Sequence, residues 1–94
     1  MNSTGTLIVV ACAAVLCGCA ATVPNELAVA RRAYTQASSG SAAQLAPAEL
    51  HKARQALDLA EQAFAKDADS YQTRDLAYVA ERKAQMAEVY ASIG

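Results

Sequence analysis

Tryptophan is absent from this 94-residue chain, phenylalanine and histidine each occur once, and aromatic residues make up only 5% of it. So few large rings exclude a core built on aromatic packing. Glycine occurs four times and proline twice, which excludes collagen-like and low-complexity classes. Neither charge sign dominates: eight Lys and Arg face nine Asp and Glu, for a net charge of −1. The lack of a basic surplus argues against nucleic acid as a partner and against purely electrostatic membrane binding. No glycine-rich phosphate loop, G-x-S-x-G or H-E-x-x-H occurs, so no motif points to an enzyme. The lone His51 has no Cys, Asp or Ser at useful spacing and reads as a surface residue. Asp58 with Glu61 and Asp67 with Asp69 read as a solvated face and a turn, not as acid–base pairs.

The longest apolar run is Leu7 to Cys17, eleven residues. A membrane-spanning helix needs about 20, whereas a secretory signal takes a shorter apolar centre. The run ends in Leu16-Cys17-Gly18-Cys19. This L-C-G-C resembles the bacterial lipobox, a Leu followed by two small residues and a Cys. The resemblance implies cleavage between Gly18 and Cys19, a diacylglyceryl thioether on Cys19, and acylation of the new amino group. A thiolate is the nucleophile such chemistry needs. Residues 1–18 are then a lipoprotein signal peptide and 19–23 a lipidated tether. The leading MNSTGT departs from the usual pattern because it holds no Lys or Arg. Two other readings of the same run are an uncleaved membrane anchor and an apolar helix of a soluble fold.

Ala20, not Asp, follows Cys19. By resemblance to lipoprotein sorting in Gram-negative cells, this points to the outer membrane, with the polypeptide on its periplasmic face. Acyl chains contribute roughly 0.8 kcal/mol per buried CH₂, so multiple chains anchor firmly. The three cysteines are Cys12, Cys17 and Cys19. Processing discards two and lipidates the third, so neither a disulfide framework nor a metal site is expected, and no cofactor is expected.

Removing 18 of 94 residues leaves 76, one small domain below the size at which a single core is comfortably sufficient. Alanine supplies 24 of the 94 residues, and no strand-like alternation follows the apolar run. This composition predicts an all-α fold of closely packed helices. Pro24 suits a helix start, and Ser38-Ser39-Gly40-Ser41 a stop, placing the first helix at 24–38. Residues 42–46 are a connector that admits a helical turn. Pro47 opens the second helix, 47–66, in which Leu50, Ala53, Leu57, Ala60 and Phe64 recur at 3-4-3-4 spacing. Asp69 or Ser70 caps the third helix, with Gln72 in capping-box position after Asp69. That helix, 70–92, carries Ala77, Ala80, Ala84, Ala87 and Ala91 at the same spacing. The expectation is an antiparallel helical hairpin or small three-helix bundle over 24–94, with marginal stability unless a partner or self-association assists.

A second stripe on helix two, Ala56, Leu59 and Ala63, together with Tyr78, is the candidate interaction face. It would meet another envelope protein or a second copy. The alternative is a ligand-binding or chaperone-like groove lined by Leu59, Phe64 and Tyr78.

Gln44 to Ala91 resembles a bacterial family catalogued as a domain of unknown function, number four-three-nine-eight in that series. The resemblance rests on Ala46-Pro47-Ala48-Glu49-Leu50, Ala53-Arg54, Leu57, Ala60 and Ala63, and on Ala77, Ala80, Ala84 and Ala87. It implies a short Ala-rich helical lipoprotein with no catalytic residues. The polar turn of residues 67–73 is longer than the family pattern. Many members look fused to an OmpA-like peptidoglycan-binding domain. No such segment is present up to Gly94, and the chain has no C-terminal Lys for a covalent peptidoglycan link, so peptidoglycan binding is not expected.

Overall fold

A computed structural model describes residues 22–93. The signal peptide, Gly18, Cys19 and most of the tether expected from the sequence lie outside the described residues.

The described chain forms three long helices and one helical turn: α1 (Asn25–Ser39), α2 (Ala42–Leu45), α3 (Pro47–Lys66) and α4 (Tyr71–Ile93). There is no strand among the described residues, so the all-α expectation holds. α3 begins and ends where the sequence placed it. α1 starts one residue later than expected because Pro24 occupies the cap. Its backbone is extended (φ −60°, ψ 149°), and its carbonyl accepts from the amides of Leu27 and Ala28, both at 3.1 Å. Residues 42–46 resolve into α2, whose exit at Ala46 leads directly into Pro47 at the first position of α3.

Each long helix buries one stripe. The core is nearly all methyl groups: of sixteen buried hydrophobic residues among those described, fourteen are alanines, joined by Leu27 and Leu57. Small side chains let helix axes approach to the short end of the usual range of about 8–10 Å. The contents of the core fix the topology. Leu27 clusters with Ala60 and Ala77, Ala37 with Ala53 and Ala84, and Ala42 with Ala87 and Ala91. α1 therefore runs antiparallel to α3 and parallel to α4, as in an up-down-up bundle. The α3–α4 hairpin is the most extensive helix pair, and α1 packs on it, chiefly against α4.

The bundle has two distinct poles. At one, the chain enters through Thr22 and Pro24 beside the Asp67–Ser70 turn; at the other, α2 packs against the end of α4. The turn is tied by Thr73, which is fully buried. Its hydroxyl donates to the Asp67 carbonyl at 2.8 Å and lies 3.0 Å from Ser70 Oγ. Ser70 Oγ accepts from the Thr73 amide at 3.1 Å, so Ser70 is the N-cap of α4 and Thr73, not Gln72, is its partner.

Candidate interaction face

The four residues expected to form an interaction face do not share one. Ala56 belongs to the main buried cluster, and Ala63 is likewise buried. The reason is that α3 packs against both α1 and α4, so its second apolar stripe is used inside the bundle. Leu59 and Tyr78 are exposed. The alternative groove of Leu59, Phe64 and Tyr78 is also not assembled. Leu59 and Phe64 are five residues apart, about 140° around the helix at roughly 100° per residue. Phe64 instead lies half-buried against the main cluster, with the Arg31 guanidinium 5.8 Å from its ring centre.

The outward apolar surface lies on α4. Tyr78, Val79, Met86, Val89, Tyr90 and Ile93 are all between 41% and 76% exposed. A soluble surface carries scattered apolar residues as a matter of course, but a contiguous stripe marks a contact site. Val79, Lys83, Met86, Tyr90 and Ile93 follow each other at 4-3-4-3 spacing, the period of a helix-pairing seam. α4 thus carries two heptad stripes, one filled with alanine and facing the bundle, one of larger residues facing solvent. In the sequence, Val79, Met86, Tyr90 and Ile93 are interleaved with the more conspicuous alanine seam. Their spacing, completed to 4-3-4-3 by Lys83, was the signal that could have separated them.

Beside this stripe, α3 contributes Glu49 and Lys52. With Tyr78, Val79, Arg82, Lys83, Met86 and Tyr90 they line an open groove of about 330 Å³. Lys52 Nζ pairs with Glu49 Oε1 at 3.2 Å. The Arg82 guanidinium sits 5.9 Å from the Tyr78 ring centre and donates to Gln85 Oε1 at 3.3 Å. A second hollow, about 560 Å³, lies at the pole where the described chain begins, between Thr22, Pro24, Glu26 and the α3–α4 turn. Of its charged groups, Arg74 and Asp69 pair with each other, and Glu26 also lines it.

The α1–α3 side is closed by ion pairs. Arg31 Nε and an Nη atom donate to the two carboxylate oxygens of Glu61, both at 2.7 Å. This bidentate geometry is the stronger form of an exposed pair. The hydrogen bond from Arg31 holds the Glu61 carboxyl below its ordinary value of 4.5, against the opposing effect of partial burial. One turn away, the Arg54 guanidinium lies 5.6 Å from the Tyr34 ring centre and donates to Asp58 at 3.2 Å.

Among the described residues no helix is long and apolar enough to cross a membrane. The fold and surface together define a small three-helix bundle of alanine-packed helices with an unpartnered seam on its last helix. The chain belongs to the family described as Domain of unknown function (DUF4398), whose sequence model matches residues 25–93. Comparison with curated proteins and with solved structures gave no match.

Proposed function

We propose that this chain is a non-catalytic, lipid-anchored protein-interaction module of the bacterial envelope. Cys19 carries the anchor in the outer membrane, and the helical domain stands in the periplasm. The outer face of α4 is its contact surface with another envelope protein or a second copy. The observation that carries the interaction part is the exposed heptad stripe from Val79 to Ile93. The anchor rests on the L-C-G-C sequence ahead of the bundle.

Two measurements test the reading. Intact mass of the membrane-extracted protein should match Cys19–Gly94 plus acyl chains, and Cys19→Ser should lose them; an uncleaved mass refutes the anchor. For the contact surface, a photo-cross-linking residue placed at Met86 in cells should give a specific adduct that the same residue at Gln36, on the exposed side of α1, does not give. Identical patterns from both sites refute the contact surface.

A further inference from the structure

Resting on the interaction reading, the groove beside α4 also has a chemistry of its own. From Tyr78 to Tyr90 it runs about 18 Å along the helix at roughly 1.5 Å per residue. A straight seam of that length with 4-3-4-3 spacing is a receptor for another helix, whose knobs enter between its side chains. Its charges are one-sided. Glu49 is paired with Lys52, and among the described residues no carboxylate pairs with Arg82 or Lys83. None of the three α4 carboxylates lines the groove: Asp75 lies one turn before Val79, beyond the Tyr78 end, and Glu81 and Glu88 lie on another flank. By helical position Glu81 and Glu88 project away from it, roughly 140–160° around from Lys83.

We propose that this groove binds an acidic amphipathic helix of a second protein. Its apolar residues pack on Val79, Met86 and Tyr90, and its flanking carboxylates meet Arg82 and Lys83. A second copy of this chain is the poorer occupant. Arg82 and Lys83 sit at the middle of the seam, so two copies paired about that middle, parallel or antiparallel, set cation against cation. Like charges across an interface select against a partner, whereas complementary ones steer it in.

The test uses the full chain in non-ionic detergent and two labelled three-heptad peptides. Both carry Leu at the a and d positions; one has Glu at e and g, the other Lys. Fluorescence anisotropy should show the Glu peptide binding at least about tenfold more tightly at low salt, with the advantage shrinking as salt rises. The double variant Arg82→Glu/Lys83→Glu, at exposed positions and checked for helicity by circular dichroism, should reverse the preference. Equal binding of the two peptides, or binding of neither, overturns the proposal. So does a concentration-dependent dimer in sedimentation that Met86→Asp abolishes, which would make the occupant a second copy. A Met86-specific cross-link in cells without any charge preference would remove this proposal and leave the interaction reading standing.

Discussion

Among the described residues Leu27 is the one large aliphatic side chain that the bundle covers completely, and it clusters with both other long helices through Ala60 and Ala77. Leu27→Ala should therefore lower stability by about 2–5 kcal/mol, read as a reduced midpoint in urea denaturation. The opposite error is as harmful where the core is made of methyls. Ala84 is fully buried beside Ala33, Ala37 and Ala53, so Ala84→Leu forces helices apart and should cost about 1–3 kcal/mol. Glu61 makes stability depend on pH. Its carboxyl is depressed below 4.5 by Arg31, so its contribution is present above pH 4.5 and is lost as pH falls through the lowered folded value. The pair is more than one-third exposed, so solvent screening holds the effect to roughly 1 kcal/mol or less. Glu61→Gln should flatten the acid limb of the stability curve below pH 4.5 and leave its shape near neutrality unchanged. The buried alanines of these stripes were legible from spacing alone. The Arg31–Glu61 pair was not, because its members are thirty residues apart and nothing local distinguishes them from other surface charges.

The helices themselves were legible almost to the residue, because proline openings and heptad alanines act locally. The capping partner at the start of α4 was not. Gln72 matches the capping-box pattern, but burial of Thr73 and its bond to Asp67 decide the geometry from outside the helix. Ser70→Ala removes the acceptor of the Thr73 amide. It should cost about 1 kcal/mol, visible as a lower thermal midpoint with little change in helicity at low temperature. The candidate exposed face was misplaced for a similar reason. Periodicity reports that a stripe is apolar, not whether a neighbour covers it. α3 turns Ala56 and Ala63 toward its neighbours, while α4, although it packs against α1, α2 and α3, turns Met86 and Tyr90 to solvent. Only topology separates the two cases.

At the scale of the whole molecule, the hairpin of α3 and α4 is the more extensive unit, and α1 is the helix added to it. Besides shared core residues such as Leu27 and Ala60, α1 meets α3 through Arg31 on Glu61 and Arg54 at Tyr34. Native-state hydrogen exchange should therefore find α1 opening at a lower free energy than α3 and α4. Arg31→Ala with Arg54→Ala should speed exchange in α1 further while leaving the central amides of the hairpin near their original rates. Uniform acceleration across all three helices would show that the bundle opens as a single unit instead.

The alanine stripes also raise a question of axial alignment. A row of identical methyl groups at 3-4-3-4 spacing looks the same after a slide of seven residues, so it specifies close approach without specifying where along its neighbour a helix should stop. The few distinctive groups serve as index marks on an otherwise repeating scale: Leu27 under Ala60 and Ala77, the Arg31–Glu61 fork, and the Thr73 hydroxyl hooked to the Asp67 carbonyl. A core of such uniform side chains is tolerant of where its bulk lies and intolerant of losing its markers. Replacing several of them together would leave three sound helices with more than one way to line up.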